Sequence, residues 1–125
     1  MSGSPILVVE DNDKNMKLFR DVLHATGYDT VEATTGEDAL ELARTRPVAL
    51  VLMDVQLPGI DGVEALEQLR GDQRTASIPV LAVTAQAMFG DEQRFLDAGF
   101  DGYLSKPVDI AELLAAVKEH CGNIG

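Results

Sequence analysis

The most informative part of the sequence is the run Val48-Ala49-Leu50-Val51-Leu52-Met53, which is apolar throughout and is followed directly by Asp54. An unbroken apolar run of this length indicates a strand that is buried on both faces, as in the middle of a parallel sheet. Two more runs of this kind are Ile6-Leu7-Val8-Val9 and Val80-Leu81-Ala82-Val83. Weaker runs at Tyr28–Ala33 and Gly102–Ser105 predict two peripheral strands.

The segments between these runs have apolar residues three or four positions apart, which is the spacing of amphipathic helices. The last segment is the clearest, and its apolar stripe consists of Ile110, Leu113, Leu114, Val117 and Cys121. Asp109 with Glu112 marks the start of this helix, and Thr35 with Asp38 marks the start of an earlier one. A further helix is predicted over residues 86–98.

Strands and helices therefore alternate along the chain as five βα units. This order predicts an α/β fold in which right-handed crossovers connect the strands of a doubly wound parallel sheet. In such folds ligands bind beyond the carboxyl ends of the strands, where the strand order reverses. We therefore expect the functional residues directly after the first, third, fourth and fifth strands.

Length and composition limit the possible functions. The 125 residues predict a single domain over residues 5–122, with no effector domain. The formal net charge of −11 argues against direct binding to nucleic acid and favours partner proteins with basic patches. The chain shows one cysteine, no signal peptide and no apolar run near the ~20 residues of a membrane span, so a cytoplasmic protein without a membrane segment is expected.

Each buried run ends in polar residues. Glu10-Asp11-Asn12 follow the first strand, Asp54 the third, Thr84-Ala85 the fourth and Lys106-Pro107 the fifth. Three carboxylates that meet at one edge repel each other unless a cation lies between them. Oxygen ligands without histidine or cysteine favour Mg2+.

The same edge also carries hydrogen-bond donors, which are the hydroxyl of Thr84 and the ammonium of Lys106. Mg2+ together with such donors suits the transfer of a phosphoryl group, whose charge spreads over its equatorial oxygens. A carboxylate can accept that group as an acyl phosphate. Asp54 ends the most apolar strand, so its position is the best fixed of the three carboxylates.

Other interpretations remain open at this point. Taken singly, each of these polar residues is common as a helix cap, a strand-end hydroxyl or a surface cation. A hydrolase with an aspartyl-phosphate intermediate, similar to the haloacid-dehalogenase phosphatases, lacks its second aspartate here, because Gln56 stands two positions after Asp54. An interaction module that takes no phosphate usually lacks the acceptor or the lysine, and this chain has both.

The sequence resembles the receiver domains of two-component response regulators over nearly its whole length. The resemblance lies in Glu10-Asp11-Asn12, in the stretch from Asp54 to Gly62, in Thr84-Ala85 and in Lys106-Pro107. The stretch Glu10-Asp11-Asn12, followed by Asn15-Met16-Lys17-Leu18, is similar to single-domain regulators of the cell-division and polarity type. The fold implied is flavodoxin-like, with five parallel strands in the order 2-1-3-4-5 and helices on both faces.

The resemblance implies a role for each residue of the metal site. Asp54 corresponds to the phosphoacceptor, Asp11 to a direct Mg2+ ligand, and the backbone carbonyl of Gln56 to another ligand. Glu10 stands where the family often has a second aspartate. Its extra methylene leaves open whether it binds the metal directly or through water.

The remaining implied roles concern the switch and the partners. Thr84 corresponds to the hydroxyl that moves toward the phosphoryl group, Tyr103 to the aromatic ring that turns with it, and Lys106 to the lysine that pairs with the phosphoryl group. The Lys106-Pro107 bond is usually cis in the family. Such a protein is no enzyme beyond its own phosphorylation and dephosphorylation. Its implied partners are a histidine kinase or histidine phosphotransfer protein and a downstream target protein.

Several neighbouring residues complete the expectations. Pro58 and Gly62 are expected to shape the loop after Asp54, with glycine allowing a positive φ. A phosphorylation signal is expected to reach the helix that starts at residues 86–90, where Met88-Phe89 would offer an apolar patch. His24 and His120 lie in no motif, so structural or surface roles are expected for them.

Overall fold

The computed structural model describes residues 4–57, 59–85 and 91–121 and shows strands and helices in strict alternation. The elements are β1 (Ile6–Val9), α1 (Asp13–Ala25), β2 (Thr30–Ala33), α2 (Gly36–Thr45), β3 (Leu50–Asp54), α3 (Gly62–Arg70), β4 (Val80–Thr84), α4 (Asp91–Ala98), β5 (Gly102–Ser105) and α5 (Ile110–Cys121).

All strand pairs are parallel, and the sheet has the order β2-β1-β3-β4-β5. The predicted fold class and strand order are confirmed. The strand predicted to begin at Tyr28 begins at Thr30 instead. Tyr28 is still held at the end of α1, because Gly27 has a φ of 95° and the Tyr28 N–H donates a hydrogen bond to the Leu23 carbonyl. The central strand β3 begins at Leu50, two residues after the start of the apolar run.

The sheet separates two apolar cores, which explains why the central strands are apolar on both faces. One core packs against α2, α3 and α4 and includes Val9, Met53, Ala82, Leu66 and Phe95. The other packs against α1 and α5 and includes Val8, Leu52, Val83, Phe19 and Leu113. Every residue of β1, β3 and β4 is buried.

The predicted helix starts are confirmed. The Thr35 hydroxyl accepts a hydrogen bond from the Asp38 N–H at 3.1 Å, and the Asp109 carboxylate accepts one from the Glu112 N–H at 3.0 Å. One prediction for the last helix is wrong, because Ile110 is 48% exposed and does not belong to the core stripe. Ile110 is the first residue of α5, and the buried residues of that helix, Leu113 and Val117, begin one turn later.

The helix over residues 86–98 and the absence of a membrane segment can be compared with the structure only within the described residues. The predicted helix over residues 86–98 is observed as α4 at Asp91–Ala98, and its first part, with Met88, Phe89 and Gly90, lies outside the described residues. Within the described ranges, every helix is too short or too polar to cross a bilayer.

Candidate functional site

The carboxyl ends of four strands bring the predicted site residues to one edge of the sheet. Glu10 follows β1 and is 1% exposed, Asp54 ends β3 at 4%, and Thr84 ends β4 at 2%. Lys106 follows β5 and is half-buried. Polar side chains buried to this degree are rare unless they have partners.

Lys106 links two of the carboxylates. Its Nζ donates a hydrogen bond to Asp54 Oδ2 at 3.0 Å and lies 2.9 Å from Glu10 Oε1. Burial alone would lower the pKa of Lys106, but its contacts with Glu10 and Asp54 outweigh burial and raise that pKa above its usual value. The lysine is therefore a fixed cation beside the predicted acceptor.

Glu10, Asp11 and Asp54 form a cluster in which one carboxylate oxygen from each lies within 4.8 Å of the others. Glu10 and Asp54 are buried, whereas Asp11 is exposed. Burial raises the pKa of Glu10 above its usual range, the Lys106 ammonium opposes this shift, and the carboxylate of Asp54 adds to it. A cation between these oxygens would relieve both the burial penalty and the repulsion.

The carboxylate of Glu10 gives the strongest indication that these residues fit a cation. Its Oε2 accepts a hydrogen bond from the Asn12 N–H at 3.1 Å. Oε1 is at ion-pair distance from Lys106, but the contact lacks hydrogen-bond angles, so this buried oxygen has no hydrogen-bond donor among the described residues. The three carboxylates form an oxygen-only donor set, which fits a hard divalent ion such as Mg2+.

The β3–α3 loop follows β3, and the structure describes it at residues 55–57 and 59–61. Its Gln56 N–H donates to Asp54 Oδ1 at 2.9 Å, so both oxygens of Asp54 have a donor. The Val55 N–H continues the sheet by donating to the carbonyl of Val83 at 3.0 Å. Pro58, which was expected to shape this loop, lies outside the described residues.

Gly62 shapes the loop for a different reason from the one predicted. Gly59, Gly27 and Gly99 have positive φ angles, and Gly62 is not among the glycines with positive φ. A Cβ at Gly62 would lie 2.6 Å from the carbonyl oxygen of Asp54 and 2.8 Å from the Cα of Val55. Glycine is therefore required because α3 begins directly against the backbone that carries Asp54.

Thr84 and Tyr103 lie on the same face of the sheet. In the register of β4 and β5, Ala82 pairs with Tyr103 and Thr84 pairs with Ser105, and side chains two apart on a strand share a face. Tyr103 is half-buried and packs against the core beside α4, with its ring centroid 6.2 Å from that of Phe95. The Thr84 carbonyl accepts a hydrogen bond from the Lys106 N–H at 2.8 Å.

The remaining residues named from the sequence are Pro107 and the two histidines. The Lys106–Pro107 peptide bond is cis, the isomer that the resemblance implies. His24 and His120 make local contacts, with the hydroxyl of Thr30 and the carbonyl of Ala116 respectively, both at 2.9 Å. Sequence reasoning missed the Asn12 N–H as a partner of Glu10, and a backbone donor of this kind leaves no sequence signal.

The sequence pattern of the response regulator receiver domain matches residues 6–118. The chain belongs to this family. It is therefore a receiver domain of two-component signalling, and the match favours a signalling domain over the hydrolase alternative. The predicted resemblance is confirmed.

Relatives and solved structures agree with this family. The polar-differentiation response regulator DivK of Brucella ovis is 44% identical over 118 residues, covering 94% of this chain and 96% of that protein. This supports the cell-division and polarity type. The receiver domain of the sensor histidine kinase PA1611 of Pseudomonas aeruginosa PAO1 is 34% identical with a TM-score of 0.88, and the match covers 98% of this chain and all of that chain. That structure has a magnesium ion coordinated in its active site cleft.

A second solved structure contains a signalling partner. It is the co-crystal structure of the Saccharomyces cerevisiae histidine phosphotransfer protein Ypd1 with the receiver domain of its downstream response regulator Ssk1. The match has 27% identity and a TM-score of 0.86, and covers 96% of this chain and 90% of that chain.

Proposed function

We propose that this receiver domain accepts a phosphoryl group on Asp54 from a histidine kinase or histidine phosphotransfer protein and thereby switches its binding to a downstream protein. The observation that carries the proposal is the contact of Lys106 with Asp54 inside a cluster of three carboxylates. Glu10, Asp11, Asp54 and the backbone carbonyl of Gln56 would hold Mg2+. The metal would neutralise the incoming phosphoryl oxygens.

In the transfer step, a carboxylate oxygen of Asp54 attacks the phosphorus of a phosphohistidine. The new P–O bond forms as the P–N bond breaks, and the electron pair of that bond stays on the departing imidazole nitrogen. Lys106 Nζ, which lies 3.0 Å from Asp54 Oδ2, can move to a phosphoryl oxygen and stabilise its charge. Hydrolysis of the acyl phosphate returns the domain to its starting state, so residues 5–122 would catalyse only their own phosphorylation and dephosphorylation.

A partner that delivers the phosphoryl group must cover this edge of the sheet. Exposed apolar side chains near the site suit such a contact, and Leu18 of α1 is 38% exposed. Leu18 lines a cavity of about 80 Å³ together with Lys106, Pro107 and Val108. The complex of the yeast phosphotransfer protein with a receiver domain supports a partner of this class. Such partners, and this chain, would act in the cytoplasm.

The experiment is treatment with acetyl phosphate and Mg2+, followed by mass measurement of the intact protein. Wild type should gain one phosphoryl group, and Asp54→Asn should gain none. The matched control is Asp61→Asn, because Asp61 lies in the same loop but caps α3 through the Glu64 N–H at 2.9 Å. Labelling that survives in Asp54→Asn would show that another residue is the acceptor.

The output of the switch would pass from Thr84 to Tyr103. Phosphorylation places charge and acceptor oxygens beside Thr84, and movement of its hydroxyl would give Tyr103 room to turn on the same face of the sheet. The helix start at residues 86–90, which would respond next, lies outside the described residues. The Tyr103 ring resonances should shift when beryllofluoride binds wild type and should stay nearly unchanged in Thr84→Ala; an equal shift in both proteins would exclude this route.

A further inference from the structure

The β3–α3 loop carries Gln56, whose N–H donates a hydrogen bond to Asp54. Both ends of the loop are fixed by hydrogen bonds, since Val55 N–H donates to Val83 O and Gly62 N–H donates to Val55 O, each at 3.0 Å. The middle of the loop, between these two bonds, needs another support. The structure supplies it through α2.

The support is a contact between Ile60 and Gly36. A Cβ at Gly36 would lie 2.6 Å from Ile60 Cγ1, 3.0 Å from Ile60 Cδ1 and 3.2 Å from the Ile60 carbonyl oxygen. Ordinary contacts are about 3.5–4.0 Å between carbon atoms, so any side chain at this position would push Ile60 away. Gly36 is buried, and Ile60 packs against the core on the same face of the sheet.

The neighbouring residues show the same close approach. Gly59 has a φ of +75°, and a Cβ there would lie 2.8 Å from Glu37 Oε2. The first turn of α2 is itself fixed, because the Thr35 hydroxyl accepts the Asp38 N–H at 3.1 Å. The loop therefore lies against a capped helix start.

We propose that Gly36 and Ile60 are positioning residues for the acceptor site. Their contact fixes the distance between the β3–α3 loop and Asp54, so that the Gln56 N–H donates to Asp54 Oδ1 at 2.9 Å. The same loop position would let the Gln56 carbonyl bind the metal, and this part of the inference rests on the proposed function. Neither residue touches the phosphoryl group, so both act through Gln56.

The first measurement is the affinity for Mg2+ by titration calorimetry. Gly36→Ala pushes the loop outward and should weaken Mg2+ binding by about 10-fold or more, the usual effect of losing support behind a metal ligand. Ile60→Ala removes the contact without a clash and should weaken binding in the same direction. Gly71→Ala is the matched control, because its Cβ would lie 3.4 Å from the nearest atom, the Glu67 carbonyl oxygen, and it should bind as wild type does.

The second measurement needs no metal and separates this inference from the proposed function. Hydrogen exchange of the Gln56 amide in metal-free protein reports the bond to Asp54 directly. Exchange should be faster in Gly36→Ala and Ile60→Ala than in wild type and Gly71→Ala. The double variant Gly36→Ala with Ile60→Ala should recover part of the affinity lost in Gly36→Ala, since Cγ1 and Cδ1 of Ile60 are gone.

The outcomes are distinct. If wild type fails to bind Mg2+, the metal in the proposed function is wrong, and the Gln56 exchange rates alone decide the positioning role. If wild type binds Mg2+ and Gly36→Ala is less stable but keeps its Mg2+ affinity and Gln56 protection, the contact is merely structural and the inference is overturned. If Gly36→Ala does not fold, Ile60→Ala decides by the same two measurements.

Discussion

Asp11→Asn should make the metal-free protein more stable and the Mg2+-loaded protein less stable than wild type. Asp11 is exposed, and one of its carboxylate oxygens lies within 4.8 Å of oxygens of both Glu10 and Asp54. Without a metal the three carboxylates repel each other. Asparagine keeps the shape of the side chain and removes one charge, so it relieves two repulsive pairs at once.

The separation sets the size of the effect. At 4.8 Å, two unit charges interact by about 1 kcal/mol in water and by about 3.5 kcal/mol at an effective dielectric constant of about 20. The lower value applies to Asp11 because it is exposed, and for two pairs it amounts to about 2 kcal/mol. The Lys106 ammonium, which contacts both Glu10 and Asp54, reduces this net repulsion. We expect the free energy of unfolding to rise by about 1 kcal/mol without metal, equivalent to a Tm increase of about 4 °C.

Mg2+ should reverse the order of stability. At a concentration of about 100 times its Kd, a ligand stabilises the folded state by about 2.7 kcal/mol. If loss of the Asp11 ligand weakens binding about 100-fold, the same concentration stabilises the variant by only about 0.4 kcal/mol. Mg2+ would therefore stabilise wild type by about 2.3 kcal/mol more than it stabilises the variant. Because the variant is about 1 kcal/mol more stable without metal, wild type would be the more stable protein by about 1.3 kcal/mol in Mg2+.

The assay is thermal unfolding followed by circular dichroism, in EDTA and in a series of Mg2+ concentrations. Asp13→Asn is the matched control, because Asp13 is an exposed acid in the first turn of α1 and lies outside the carboxylate cluster. It should lose a little stability in both conditions without any reversal. A variant Asp11→Asn that is less stable than wild type in EDTA, or that gains as much from Mg2+, would refute the repulsion argument.

Three more predictions concern the frame of the site and the surface. Gly62→Ala should lower the free energy of unfolding by about 1–3 kcal/mol, because its Cβ would lie 2.6 Å from a backbone oxygen. Urea unfolding measures this loss, and the control Gly71→Ala should change the free energy of unfolding little. Arg70→Ala should lower the free energy of unfolding by about 2–3 kcal/mol, because Arg70 donates to the carbonyls of Ala76, Ile78 and Gly99 and to Asp101 at 2.6–3.2 Å. Arg74→Ala removes one pair with Asp72 and should cost less, and equal losses would contradict this ranking. The Arg74 guanidinium makes the largest contribution to a pKa of Asp72 that is lowered from 3.8 to about 2, and the Arg74 backbone N–H and the charge of Arg44 add to it. Since the folded pKa lies below the unfolded one, this contact stabilises the protein above pH ~4 and is lost as the pH falls toward 2. A carbon-13 titration of Asp72 in wild type and in Arg74→Ala should show the pKa return toward 3.8, and an unchanged value would exclude Arg74 as the cause.

Local patterns in the chain were enough to predict the fold and the place of the site. The apolar runs before Glu10, Asp54 and Thr84 identified buried parallel strands, because a strand covered on both faces must be apolar at every position. Parallel strands bring their carboxyl ends to one edge, so the residues that follow them had to meet there. The helix caps at Thr35 and Asp109 were readable for the same reason, since a cap involves residues three positions apart.

Tertiary structure decided what depends on contacts between distant residues. Lys106 reaches Asp54 across 52 positions of sequence, and Gly36 supports Ile60 across a loop and two elements, so neither contact leaves a periodic pattern. The exposure of Ile110 and the steric need for Gly62 also follow from where the elements pack. The sequence determines which side chains are available at the edge of the sheet, but their pairing depends on distances of a few ångströms that arise only when separate elements are packed together.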